Sequence, residues 1–252
     1  MLKIINHGQV RELRLAKAPV NALNTEFVKL LTHSVREAMT ECGAIVLSGQ
    51  DGIFSAGLDV VELMQLDRDG LRKFWVAFFE LLETVACSSI PIAAAVTGHS
   101  PAGGAVIFML CDYRVMSTGK YLTGLNETRV GLIIPPVLQN AMARLVGPRI
   151  AEQMLVAGAM IGPEDAAKVG FVDALETGYE ATIQHAISWC ENLLSLPQHS
   201  MLGNRANARA HFKEEFTRHT DESVESFVDI WFSDETQQVI IALVAQLKSR
   251  KG

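Results

Sequence analysis

Glu127 is the one acidic residue in a run of small and apolar side chains, Gly124-Leu125-Asn126-Glu127-Thr128-Arg129-Val130-Gly131, which continues through Leu132, Ile133 and Ile134. Burial penalises the charged form of a carboxyl, so such surroundings are expected to raise its pKa. That would suit a proton shuttle near neutral pH. A solvated glutamate on a surface turn is the competing reading of the same residues.

Two earlier segments join glycine to the start of a helix. In Phe54-Ser55-Ala56-Gly57-Leu58-Asp59, Gly57 permits a tight turn, and the N–H groups of Leu58 and Asp59 are candidates for unpaired donors. A plain turn uses the same residues. In Gly98-His99-Ser100-Pro101-Ala102-Gly103-Gly104-Ala105, Pro101 fits a first helical turn, and the bare Gly103 and Gly104 let a ligand approach helix N–H groups. Close helix packing also calls for glycine. One N–H from each segment would make an oxyanion hole.

The elements that must position these groups are short. Leu2 to Asn6, a turn at His7-Gly8-Gln9 and Val10 to Leu15 read as a hairpin. Asn24 or Thr25 is placed to cap a helix presenting Phe27, Leu30, Leu31, Val35 and Met39 at helical spacing. Ala44 to Ser48, Pro91 to Val96 and Tyr113 to Ser117 read as strands. Val60 to Ala86 reads as one long helix, and a small-residue helix begins near Pro101. The alternation predicts an α/β fold with both sheet faces covered. From about Tyr179 the pattern is helical, with Pro197 and Gly203 as breaks, which divides the chain into a core over 1–196 and a helical region over 197–252. Phe216, Phe227, Trp231 and Phe232 give that region apolar surface to bury.

The chain has 252 residues, 49% hydrophobic and 20% charged, enough to build a core without staples. A net charge of -6 gives no general attraction to nucleic acid or an anionic membrane. Cys42, Cys87, Cys111 and Cys190 lack the spacing of a metal site or a disulfide framework, so no metal is expected and the thiols read as reduced. No apolar run reaches the ~20 residues of a membrane span. Lys3 to Asn6 is already strand-like, without the zones of a secretion signal. The expected location is the cytoplasm for a bacterial protein, or the mitochondrial matrix after loss of a transit peptide for a eukaryotic one.

The order and spacing of the three motifs resemble those of the crotonase, or enoyl-CoA hydratase/isomerase, superfamily over about residues 1 to 200. The stretch Gly124-Leu125-Asn126-Glu127-Thr128 is most similar to that of the Δ3,Δ2-enoyl-CoA isomerases. The resemblance implies a spiral of repeated ββα units followed by helices that serve trimerisation. It places the oxyanion N–H groups on Leu58 and Gly103. Hydratases of the family carry two glutamates, and their positions fall here on Val106, aligned through Cys111-Asp112, and on Glu127. With valine at one of them, half of the apparatus that polarises water is missing, whereas moving a double bond needs a single base. The resemblance also places Ala18, Val20 and Ala56 against coenzyme A, with Lys17 either meeting a phosphate or simply exposed. No separate cofactor is implied, since coenzyme A belongs to the substrate. The implied partners are an acyl-CoA and further copies of the chain, as a trimer or hexamer.

Phe74, Phe78, Ile134 and Val137 are the expected pocket walls. His99 reads as structural, Asp112 as ordering nearby backbone, and Arg205, Arg209, Lys213 and Arg218 as a solvated helix face interleaved with Glu214 and Glu215. The leading expectation is an enoyl-CoA isomerase. Its alternatives are a hydratase or thioester hydrolase on the same fold, discriminated by whether a 2-enoyl-CoA gains water, and a non-catalytic RNA-binding homologue, discriminated by RNA binding without acyl-CoA binding.

Overall fold

In the computed structural model, which describes residues 1–249, the opening hairpin forms from β1 (Leu2–His7) and β2 (Val10–Leu15). Four parallel strands extend it: β3 (Ala44–Ser48), β5 (Ile92–Val96), β7 (Tyr113–Ser117) and β9 (Ala174–Glu176), giving the order β1-β2-β3-β5-β7-β9. Alternate side chains of β3 and β5 face opposite ways, as the two-residue period requires. Ala44, Val46, Ala93 and Ala95 meet α8 (Tyr179–Leu194) through Ile183, Ala186 and Ile187. Ile45, Leu47, Ile92, Ala94 and Val96 face the main core with α1 (Thr25–Glu41) and α3 (Arg68–Ala86). Both faces are therefore covered, as expected.

A second, smaller sheet places the chemistry. It consists of β4 (Gly52–Ile53), β6 (Gly98–Pro101) and β8 (Thr123–Gly124), parallel and in that order. Each of β3, β5 and β7 runs into one of these short strands and then into helical turns: α2 (Val60–Leu63) with α3, α4 (Gly103–Met109), and a 3-10 turn over Glu127–Val130. The repeated strand, strand, helix unit is thus present three times, and the short strands end side by side.

Three local expectations are corrected. The stretch Val60 to Ala86 is two helices, because Asp67 accepts the N–H of Gly70 at 2.7 Å and starts α3 anew. Pro101 is the last residue of β6 rather than part of a first helical turn. The next N–H, of Ala102, still joins the strand ladder at Gly124 O (2.8 Å), which postpones the helix to Gly103. Gly203 breaks nothing and lies inside α9 (Gln198–Trp231), which begins after Pro197.

The helical region from 197 on, as far as residue 249, is no detached appendage. Phe212, Phe216, Phe227 and Trp231 of α9, with Ile240 and Val244 of α10 (Asp234–Ser249), share the main core with Ile45 and Leu47. Residues 250–252 of that region lie outside the described residues. The solvated-face reading is corrected too: Arg205 and Arg209 are turned inward. Arg205 grips Asp112 through Nε and Nη2 (2.9 and 2.8 Å) and Arg209 meets it at 3.2 Å. Both arginines also donate to carbonyls near helix ends, at Ser88, Ala86 and Leu110, where a cation is electrostatically favoured. Asp112 in turn accepts the N–H of Ile92 at 2.8 Å, so one carboxylate ties α9 to the large sheet.

Removing one member of such a buried set leaves the others charged and unpaired, which typically costs about 3–5 kcal/mol. Asp112→Ala is therefore expected to lower the midpoint of denaturant unfolding substantially, and an unchanged midpoint would show that the bolt carries no net stability.

Candidate active site

The loop after β4 and the start of α4 are packed peptide against peptide. Gly57 adopts φ +82, and a Cβ added there would lie 3.1 Å from Gly103 N. A Cβ on Gly103 would lie 3.3 Å from Leu58 Cδ2. On Gly104 it would meet Ser55 O at 2.7 Å, a backbone atom that cannot simply swing away. Side-chain-free residues are thus required for Leu58 and Gly103 to stand next to each other.

Three amides beside these two positions are occupied. Gly57 N–H donates to Ser55 Oγ (3.2 Å), Asp59 N–H to Leu23 O (3.0 Å) and Ala102 N–H to Gly124 O (2.8 Å). Among the described residues, the N–H groups of Leu58 and Gly103 donate to none. Ala102 helps to aim the second of them. It holds φ 47 without being glycine, an unfavourable conformation found where surrounding structure over-determines the backbone.

Asn21 positions the site, and the sequence reading passed over it. Its Nδ2 donates to Phe54 O (2.9 Å), its Oδ1 accepts the N–H of Lys17 (2.8 Å), and its own carbonyl accepts from Ser55 Oγ (2.8 Å). Val20 O receives the N–H of Ala56 at 2.9 Å. The 17–23 loop therefore clamps the 54–59 loop, bringing Ala18, Val20 and Ala56 into one neighbourhood. The available signal was an asparagine, a residue tolerant of left-handed backbone, just after Pro19-Val20, and it adopts φ 53. Lys17 is less free than its sequence suggested, since its Nζ is held by Ala22 O (2.9 Å) and Asp59 Oδ2 (3.2 Å).

Glu127 opens the 3-10 turn that follows β8, and this turn is fastened on two sides. Thr128 Oγ1 donates to Leu155 O (2.8 Å) in α6 (Pro148–Ala157), and Thr236 Oγ1 of α10 donates to Gly131 O (2.7 Å). The carboxyl points inward. Its Oε2 is sealed from solvent and makes no hydrogen bond within the protein, although the residue as a whole is only partly buried. Burial pushes its pKa up to about 7, with its own backbone N–H pulling weakly the other way.

Leu58, Gly103, Val106 and Glu127 line one chamber. Of the expected walls, Phe78 and Ile134 are present, whereas Phe74 and Val137 lie in the core behind it. Trp75, Leu132, Ile133, Pro135 and Leu138 complete it, with Phe227 from α9. Val106, 2% exposed, offers no polar atom where a second carboxyl would stand. The enclosed space is about 20 Å³, the size of roughly one water. Larger open grooves of about 650 and 410 Å³ lie beyond Ile133 and Ile134, and Ile133 is 64% exposed between inside and outside. His99 accepts the N–H of Leu122 through Nδ1 at 3.1 Å, a structural task as expected.

A carboxyl of raised pKa, two free main-chain N–H groups and an apolar chamber can together move a proton beside a carbonyl whose oxygen is becoming negative. Comparison with known proteins supplies the family. The family model described as enoyl-CoA hydratase/isomerase matches residues 6–250. The chain belongs to this family. It is 30% identical over 247 residues to mitochondrial enoyl-CoA delta isomerase 1 of Homo sapiens, which covers 96% of this chain and 82% of the relative. The crystal structure of human mitochondrial delta3-delta2-enoyl-CoA isomerase matches at a TM-score of 0.94 and 28% identity, over 100% of this chain and 99% of that one. An enoyl-CoA hydratase from Bacillus halodurans, 15% identical with a TM-score of 0.87, shares the fold. The α/β crotonase fold with two sheets and C-terminal helices is thereby established for this member of the family.

A carboxyl whose pKa is raised on folding binds more protons in the native state than in the unfolded one. Its destabilising effect is absent below the ordinary carboxyl pKa and grows as pH rises towards about 7. Glu127→Gln should therefore be more stable than the parent at pH 8, by at most roughly 3 kcal/mol, with the gap closing by about pH 4.5. Thermal unfolding of both proteins across that range checks it, and a gap independent of pH would place the Glu127 carboxyl in solvent.

Proposed function

We propose that the protein is a Δ3,Δ2-enoyl-CoA isomerase. The observation that carries this reading is a solitary buried carboxyl, Glu127, in an apolar chamber lined also by Leu58 and Gly103, whose N–H groups have no partner among the described residues. In this mechanism the Glu127 carboxylate removes a proton from C2 of a 3-enoyl thioester. The electron pair of the broken C2–H bond forms a C1–C2 double bond and the carbonyl pair moves onto oxygen, giving a dienolate conjugated with the C3–C4 double bond, whose oxygen the two N–H groups hold. Protonated Glu127 then delivers the same proton to C4, leaving the double bond between C2 and C3. Each main-chain donor is typically worth about 3 kcal/mol in the barrier. A pKa near 7 lets the one group act first as base and then as acid.

Val106 supports isomerisation over hydration. Adding water across a double bond calls for a second group to hold and polarise that water, and valine supplies none. An apolar wall also shields the dienolate from side reactions. Ile133 would move aside to admit the acyl chain, whose tail would lie in the grooves beyond it. Ala18, Val20 and Ala56 would flank the coenzyme A portion, with Lys17 at its rim. Assembly as a trimer or hexamer rests on the family resemblance alone, because Phe216, Phe227 and Trp231 are already buried within the chain.

A 3-enoyl-CoA and a 2-enoyl-CoA, supplied separately, test the reading. The first should be converted to its 2-enoyl isomer, and the second should gain no water at a comparable rate; the reverse result would make the protein a hydratase. Glu127→Gln should bind acyl-CoA nearly normally and lose roughly 10²- to 10⁴-fold in turnover. For the parent, kcat/KM should fall below an acid limb near pH 7, where Glu127 becomes protonated in the free enzyme.

A further inference from the structure

Trp75 reaches the chamber from α3 with its indole held on several sides. Its ring stacks on Phe78 at 5.2 Å and meets Phe79 and Phe227 edge-on at 5.8 and 3.8 Å. The residue is 4% exposed, yet its Nε1–H makes no hydrogen bond within the protein. Hydrophobic packing explains the ring and leaves the N–H unexplained, since proteins pair or hydrate nearly all buried donors. In the same chamber, Glu127 Oε2 is a buried acceptor with no partner. Both residues line an enclosed space of about 20 Å³, which is roughly one water.

We infer that the chamber holds a single water that accepts the indole N–H of Trp75 and donates to Glu127 Oε2, making Trp75 a positioning residue for the shuttle carboxyl. The acyl chain fills the same space and expels this water, so Trp75 acts on Glu127 in the free enzyme and not in the loaded one. Fixed by the indole, the water stabilises the carboxylate form. Among the described residues, Glu127 is the only titratable side chain lining the chamber. Arg129, on its own turn, is turned to Ala157 O, and Asp229 of α9 and Glu235 of α10 face the outer groove. The catalytic consequence rests on the isomerase reading, whereas the water itself does not.

The first test needs no change at Trp75. With tryptophan labelled by ¹⁵N, the Trp75 indole resonance, assigned through its contacts to Phe78 and Phe227, should shift with pH about a midpoint near 7. The shift should vanish in Glu127→Gln. A resonance that ignores pH, or one that titrates identically in E127Q, overturns the shared water. In the second test, Trp75→Phe keeps an aromatic ring and deletes the donor. The acid limb of its kcat/KM profile should rise by roughly half a pH unit while the limb of kcat stays in place. Superimposable profiles, or equal shifts in both, overturn the positioning role. An active isomerase with no linked titration would refute the water and leave the proposed reaction standing. A protein inert towards 3-enoyl-CoA with a linked titration would do the opposite.

Discussion

The main-chain ladder on both sides of β6 is the constraint from which the site follows. Gly52 pairs with Gly98 on one side and Pro101 with Gly124 on the other, so three chain segments distant in sequence end at one level. Each then delivers one group: Leu58 after β4, Gly103 after β6 and Glu127 after β8. Parallel strands cannot be joined by tight turns, so each return passes through a helix and a strand of the large sheet. The larger sheet and its helices thus do more than fill a core. They set the spacing at which the small sheet can form.

The close approaches within that ladder explain the glycines better than any single motif does. A Cβ on Gly98 would stand 2.0 Å from Gly52 C, and one on Gly124 would stand 2.2 Å from Ala159 O. Such contacts fall on backbone, which has no rotamer to relieve them. The same packing leaves the N–H groups of Leu58 and Gly103 without an acceptor among the described residues. Polarity is concentrated there and withheld from the rest of the chamber, where burial among aromatic and aliphatic walls raises the pKa of the Glu127 carboxyl.

The C-terminal helices close this arrangement. Phe227 of α9 forms part of the chamber wall, and Thr236 of α10 holds the turn that bears Glu127. Asp112, bound by Arg205 and Arg209, anchors α9 to the sheet. Stability and the shape of the site are in this way carried by one continuous core.

Much of this was legible in the amino-acid sequence. Strand periodicity, the Asn24 cap and the strand and helix alternation depend on residues near in the chain, and they determined the α/β class and most element positions. The spacing of the three glycine motifs likewise determined which residues to watch. Long-range packing decided the rest. Only folding could show that Glu127 Oε2 is sealed, that Lys17 is spent on Asp59, and that Arg205 and Arg209 turn inward to a carboxylate some ninety residues away. Helical periodicity marked Trp75 as core without revealing that it lines the chamber with its N–H unpaired, nor that Phe227 would close that chamber. Those facts arise where elements meet, and a local pattern carries burial of a face but not the identity of what lies against it.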